Sequence, residues 1–343
     1  MTRNVFHLVS LIVLLIGWWG YTPLRAQTED TQSFTFDPEN ISKELREQLL
    51  LPIYFGEDIS LERILLYDKY TLKDTYTYNK KRRQIQWAQI RSKLALVENM
   101  LEGSFQWGVL QNYKNLKGKA PQPKNARIEG KSVFDSLGVE RYQAIPLYTE
   151  EDLELPLLYA RDGWIALNKG LENDYYRVHP IELDREFLVP RAYFTPLADS
   201  TFFQHVIFID RKRQYIVTTE RLSPQQWAIR SVNPSTTGIQ KPPYSQETPL
   251  GMFLLQGKRE KMRYLKDGSQ TEIAGFAPYA CRFTGGAYVH GVPSVVPKEE
   301  ITEYSSSLGT RPLSHMCVRT PSSHAFFIYK WAPYLQTIIF VIE

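Results

Sequence analysis

From Tyr142 to its last residue the chain is written in short β-like runs, and that rhythm limits the fold more than any other feature. A-I-P-L-Y, D-G-W-I-A-L, D-Y-Y-R-V and R-E-F-L-V-P-R-A-Y-F follow one another up to Leu197, each closed by turn residues. From His205 the run V-I-F-I-D-R-K-R-Q-Y-I-V sets two strands around a charged turn, and T-I-I-F-V-I closes the chain. Spacing this close leaves little room for long helices, so the expected class is multi-domain and mainly β. At 343 residues the chain is too long for one ordinary core, and two or three domains are expected. An apolar content of 43%, with 23% charged residues, excludes a chain disordered throughout.

The expected exceptions to this rhythm lie near the two ends. Trp87, Ile90, Leu94, Val97 and Leu101 recur at steps of three and four, which predicts a helix from about Lys81 to Glu102 stopped by Gly103-Ser104. Its stripe is read as packing within its own domain. Lys114–Lys131, rich in Lys, Pro, Gly and Asn, reads as a basic, solvated linker. A second helix is expected with Thr320 as N-cap and Pro321 as its first residue. The segment Met1–Ala26 has the form of an export signal: Arg3, an apolar stretch Phe6–Tyr21, then Leu24-Arg25-Ala26. The apolar stretch is shorter than the ~20 residues that span a bilayer comfortably, so cleavage, leaving no membrane span, is expected over a retained anchor. The chain is then exported, to a periplasm or cell envelope, where thiols tend to oxidise. The net charge of +4 is no footprint for nucleic acid.

Between residues 132 and 199 the rhythm, including D-G-W and Y-Y-R-V, resembles a small bacterial SH3-like β module. Trp164, Tyr175 and Tyr176 would then line a groove or fill the core, and core is the expected reading. The resulting division is 1–26 signal, 27–131 helical region with basic linker, 132–199 β module and 200–343 catalytic domain.

Several chemistries can be set aside. The six histidines include no H-E-x-x-H, and the two cysteines form no C-x-x-C, so metal spacings are missing. A metal set of His290, His315 and Cys317 is the remaining candidate of that kind, and no metal or cofactor is expected. No G-x-S-x-G occurs and no serine has a lysine three residues later, which leaves elbow-type and penicillin-binding-type serine chemistry unsupported. Glu150-Glu151-Asp152 reads as a solvated face. What remains is thiol chemistry. Y-V-H-G places His290 at the end of a β-like run, and Cys317 precedes the second helix. A thiol needs a base to take its proton and N–H groups to hold an oxyanion. A disulfide between Cys281 and Cys317 is the rival reading, with Cys281 as a small buried side chain the favoured one.

These residues carry a resemblance. Thr248-Pro249-Leu250-Gly251-Met252-Phe253, then His290-Gly291, then Ser314-His315-Met316-Cys317-Val318-Arg319 are similar to the T-P-x-G-x-F, H-G and S-H-G-C-hydrophobic-R elements of the YkuD-type L,D-transpeptidase catalytic domain. The resemblance spans about Phe203–Glu343 and implies a β-rich catalytic fold with a short helix after the cysteine. It implies that Cys317 is acylated by a donor peptidoglycan stem peptide with release of D-alanine, and that an amine of an acceptor stem then takes the acyl group. His290 would be the base, oriented by the Gly291 carbonyl. Ser314 and His315 would shape the pocket, N–H groups of Met316 and Cys317 would form the oxyanion hole, and Arg319 would bind a substrate carboxylate or make a structural salt bridge. An L,D-carboxypeptidase or endopeptidase with the same site, and a non-catalytic wall-binding scaffold, are the alternatives. Two departures stand out. Met316 replaces the usual glycine, implying a reshaped oxyanion loop or a narrowed cleft, and the spacer from His290 to Ser314 is longer than usual, implying a lid or acceptor surface.

Overall fold

A computed structural model describes residues 54–78, 80–103, 105–113, 127–129, 132–134, 144–241, 244–269, 271–298 and 300–343. The expected signal segment and most of the basic linker lie outside them. In chain order come β1 (Ser60–Arg63), β2 (Thr75–Tyr78), β3 (Lys81–Gln84), α1 (Trp87–Glu102) and β4 (Trp107–Leu110). Next are β5 (Arg127–Glu129), β6 (Ser132–Phe134), β7 (Ala144–Leu147), β8 (Leu158–Arg161), β9 (Ile165–Glu172), β10 (Tyr175–Pro180), β11 (Phe187–Pro190) and β12 (Phe194–Pro196). Then follow β13 (His205–Asp210), β14 (Tyr215–Ser223), β15 (Gln226–Pro234), β16 (Gly251–Leu254), β17 (Gly257–Leu265), β18 (Ile273–Thr284) and β19 (Ala287–His290). The chain ends through β20 (Ser294–Val295), β21 (Val318–Arg319), α2 (Ser322–Trp331) and β22 (Thr337–Ile342). The fold is mainly β, as the rhythm implied, and no described helix is long and apolar enough to cross a membrane.

The centre is a six-stranded sheet in the order β1-β15-β14-β13-β22-β16. Its middle strands, H-V-I-F-I-D and T-I-I-F-V-I, pair in parallel from His205↔Thr337 to Asp210↔Ile342 and are buried on both faces. Near-continuous apolar runs are what a strand covered on both sides requires. Because side chains alternate, the two runs feed two cores. Val206, Phe208, Ile338 and Phe340 face a core shared with Ile90, Leu94, Val97 and Met100 of α1. Ile207, Ile209, Ile339 and Val341 face another, shared with Cys281, Phe283, Val289 and Val318 of a third sheet. That third sheet runs β17-β18-β19-β21, with β20 on β18.

The stripe of α1 is buried against the central sheet, on Val206, Phe208, Ile338 and Phe340, rather than within a separate 27–131 region, because the apolar outer face of that sheet needs a cover; the helix is also shorter than its sequence reading. It begins at Trp87, and Lys81–Gln84 instead form a hairpin with Thr75–Tyr78. Arg83 there donates to the carbonyls of Gly309 and Thr310, tertiary bonds that a helical turn would displace. Glu98 is buried on the helix and accepts from Arg221 at 2.9 and 2.8 Å and from Trp227 Nε1 at 2.7 Å, which ties the helix to the sheet. Strand β1 joins the same sheet in parallel with β15.

The β-like runs from Ile165 to Pro196 form a five-stranded antiparallel sheet, β11-β10-β9-β4-β12, whose fourth strand comes from Trp107–Leu110 upstream, while A-I-P-L of β7 pairs with β8 in a separate two-stranded sheet. Trp164 is core, against Phe253, while Tyr175 and Tyr176 are half-buried beside Tyr148 and Phe194.

Candidate active site

The turn T-G-G-A folds β19 back on β18, and Gly285 takes φ +41°, a left-handed angle that glycine adopts freely. Strand β21 then runs parallel to β19 in the register Val289↔Val318 and His290↔Arg319. Paired residues of a parallel ladder share a face, and the face alternates along each strand. Val289, Val318 and Cys281, which pairs with Val289, therefore point into the core. His290, Arg319 and Cys317 point the other way. The strand spacings place the backbones of Cys317 and His290 roughly 8 Å apart, within side-chain reach. They stand 27 positions apart in the sequence; the ladder brings them together.

His290 is almost wholly buried, and its Nδ1–H donates to the Gly291 carbonyl at 2.6 Å. A carbonyl can only accept, so this bond fixes the tautomer and leaves Nε2 with its lone pair. Burial lowers the imidazole pKa to about 4; the Gly291 bond opposes that shift and the Arg319 charge adds to it. The ring is therefore neutral at physiological pH. Gly291 is glycine for want of space: a methyl there would sit 2.5 Å from Ser322 Oγ and 2.8 Å from Pro278 Cγ. The Cys317 thiol is half-buried, with Sγ 3.5 Å from the Gly286 carbonyl. Neither cysteine is in a disulfide, so the disulfide reading falls. Cys281 is sealed in the core, where burial pushes its thiol up to about 12.

The loop before Cys317 is held from several sides. Ser314 Oγ donates to the Cys317 carbonyl, and Ser314 N–H donates to the Thr237 carbonyl at 3.0 Å. Thr248, the first residue of T-P-L-G-M-F, donates to the Met316 carbonyl at 2.7 Å and accepts from Gly238 N–H at 2.9 Å. Gly251 of the same motif has φ +127°. Met316 is not among the residues with positive φ, so the loop imposes no backbone angle that methionine resists. Nor does its side chain narrow the cleft: it is 7% exposed, lies in the core, and its sulfur accepts from Gln246 Nε2 at 2.7 Å.

His315 turns outward, its Nε2 3.1 Å from Asp267 on the β17–β18 turn, and so stands at the rim. Among the described residues no cluster of three His, Cys, Asp or Glu side chains is placed to hold a metal. Arg319 is tied by its backbone to Thr236 at 2.9 Å in both directions. Its Nε is buried without a hydrogen-bond partner, and no carboxylate pairs with it among the described residues. Burial lowers its pKa, a shift that Cys317 and Tyr264 oppose.

The helix cap differs from its sequence reading. Pro321, not Thr320, is the capping residue of α2, with no side-chain cap bond. Thr320 Oγ1 is engaged instead with His324 Nδ1 at 2.8 Å and the Pro234 carbonyl at 3.3 Å. Glu303, from the long spacer, caps the helix from outside: it accepts from Ser323 N–H at 3.0 Å and from Ser323 Oγ. Ser322 Oγ accepts from Val292 N–H at 3.0 Å. The spacer is thus anchored at α2.

One wall escaped the sequence reading. Ser235-Thr236-Thr237 is fully buried, and Gly238 lies so close that a methyl would meet Met316 Cα at 2.8 Å. The run of small hydroxyl residues ending in glycine was the available signal, but it reads equally as a solvated turn.

A thiol and a neutral, oriented imidazole thus stand on neighbouring strand ends of a β scaffold, with a guanidinium beside them, the set of groups that thiol acyl transfer calls for. Residues 204–341 match the model of the YkuD family, the L,D-transpeptidase catalytic domain, and this stretch of the chain belongs to that enzyme family. Among solved structures, the chain is similar to an L,D-transpeptidase from Mycobacterium smegmatis, at 15% identity over 52% of this chain and 90% of that one, with a TM-score of 0.33. It is similar to an L,D-transpeptidase from Mycobacterium tuberculosis H37Rv, at 20% identity over 52% and 76%, also with a TM-score of 0.33. A fused Zn-dependent amidase/peptidase/peptidoglycan-binding domain-containing protein from Clostridium acetobutylicum ATCC 824 matches at 22% identity over 40% and 51%, with a TM-score of 0.30. The chain spans about half the length of that last protein. No curated protein matches the chain.

Proposed function

We propose that the chain is an exported L,D-transpeptidase that joins peptidoglycan stem peptides through an acyl-enzyme on Cys317. The observation that carries this reading is the shared face of Cys317, His290 and Arg319, with the imidazole tied to Gly291 so that Nε2 is the open nitrogen. In this reading His290 Nε2 takes the thiol proton. The thiolate attacks the carbonyl of the third stem residue, and N–H groups of Met316 and Cys317 hold the resulting oxyanion. The tetrahedral adduct collapses, the imidazolium returns its proton to the leaving amine, and D-alanine departs. An acceptor amine, deprotonated by the same imidazole, attacks the thioester and releases the thiol. Arg319, buried enough to strengthen an ion pair and without a carboxylate partner among the described residues, binds a donor carboxylate bidentately. Ser314 shapes the pocket by fixing the Cys317 carbonyl. Export rests on the segment Met1–Ala26 and agrees with a wall substrate.

The test is incubation with a disaccharide tetrapeptide, followed by mass spectrometry. A Cys317 adduct with D-alanine loss and a cross-linked dimer is expected, and Cys317→Ala, still folded, should give neither. Trimmed monomer alone would convert the reading to an L,D-carboxypeptidase. Absence of any adduct on a free thiol would leave a wall-binding scaffold.

A further inference from the structure

The D-G-W element, Asp162-Gly163-Trp164, is the turn that leads from β8 into β9 of the five-stranded sheet and lies outside the matched residues 204–341, yet each of its residues contacts that matched stretch. Asp162 is fully buried and accepts four bonds. Asn112 N–H donates to Oδ1 at 2.9 Å. Oδ2 accepts from Gln256 Nε2 at 3.1 Å, from Arg282 Nη1, and from Gly285 N–H at 2.8 Å. Gly163 fits under the catalytic sheet with no room to spare, since a methyl on it would stand 2.1 Å from the Phe283 carbonyl. Its own carbonyl accepts from Leu254 N–H at 2.8 Å, and Trp164 bridges Phe253.

Gly285 and Gly286 form the turn between β18 and β19, and the Gly286 carbonyl is the group 3.5 Å from Cys317 Sγ. Gly285 is buried, so its N–H needs a partner, and among the described residues that partner is the Asp162 carboxylate, from the β8–β9 turn. A two-glycine turn has little conformational preference of its own. We infer that Asp162 is a positioning residue for the nucleophile: by anchoring Gly285 it sets the Gly286 carbonyl that receives the Cys317 thiol hydrogen and so aims the sulfur at rest. The β8–β9 turn is then a working part of the catalytic unit. This rests on the reading of Cys317 as nucleophile.

The test uses the full chain and iodoacetamide, followed by intact mass against pH. Alkylation of the native protein reports Cys317, since Cys281 is sealed in the core. Asp162→Asn and Asp162→Glu each keep a polar group against Arg282 while weakening or displacing the Gly285 anchor. Both are expected to move the alkylation midpoint to lower pH by about half a unit, because a hydrogen bond to the neutral thiol disfavours the thiolate, and to lower donor turnover about tenfold. Trp164→Phe, which loosens the same contact without touching the anchor, is expected to lower Tm and leave the midpoint alone. A folded Asp162 variant with the parent midpoint overturns the inference, as does an equal shift in Trp164→Phe. If both Asp162 variants fail to fold, hydrogen exchange of the Gly285 amide in the parent decides: protection at the level of β18 is expected, and exchange at the rate of an exposed loop overturns it. A parent chain that alkylates as described but turns over no stem peptide would sink the proposed function and not the positioning.

Discussion

The depressed pKa of His290 sets a pH dependence that an ordinary imidazole would not give. At pH 5 a base with a pKa of about 4 is roughly 90% neutral, whereas an unperturbed histidine near 6.5 is only about 3% neutral. The acylation rate at pH 5 should therefore exceed that of an enzyme with an ordinary base by about thirtyfold, relative to each one's plateau. The measurement is kcat/KM for adduct formation from pH 3.5 to 8, and the acid limb should bend near pH 4. The same shift has a stability consequence of fixed sign. Between about pH 4 and 6.5 the unfolded imidazole binds a proton that the folded one refuses. The contribution is intact above pH 6.5 and is lost as pH falls toward 4, with about 2 kcal/mol already lost at pH 5. His324, buried and lowered to about 3, acts in the same direction. Glu182, raised to about 7 by burial, acts in the opposite one. Urea unfolding at pH 7.5 and 5.0, with His290→Asn as reference, isolates the His290 share. An acid limb centred near 6.5, or a His290→Asn chain with undiminished acid sensitivity, would refute the assignment of a buried, neutral base.

Three further outcomes are expected. Gly291→Ala forces a methyl against Ser322 and Pro278; it should cost about 1–3 kcal/mol in urea unfolding and slow acylation, and parent-like values for both would mean the H-G glycine is not held by close packing. Met316→Gly restores the more usual residue but empties a core position, so unfolding free energy should fall by about 2–5 kcal/mol; no loss would place that side chain outside the core. Glu98→Ala strands the Arg221 guanidinium and the Trp227 N–H and should cost about 3–5 kcal/mol with little change in the alkylation profile of Cys317, and a cost within 0.5 kcal/mol would show that α1 is not held through that carboxylate.

Sequence alone reached the β class, the stripe of α1 and the residues Cys317 and His290 that the fold brings together, because each is written in local pattern or in residue type. Alternation and continuous apolar runs are properties of neighbours, and H-G and S-H-M-C-V-R keep their order whatever the rest of the chain does. The parallel register that sets Cys317 on one face with His290 and Cys281 on the other was not legible, since a slip of one residue would exchange the faces and no local signal fixes it. The same holds for Met316, where only the backbone angle and the surrounding core show that methionine fits. Thr320 reads as a cap by local preference, but a buried imidazole four residues on competes for its hydroxyl and the cap moves to Pro321. Asp162 illustrates the division most plainly: as a residue it is one more turn aspartate before glycine, and only folding brings it beside Gly285, 123 positions away. Residue identity limits the chemistry a chain can perform; long-range pairing decides which of those residues meet, and such pairing depends on contacts that no window of neighbouring residues contains.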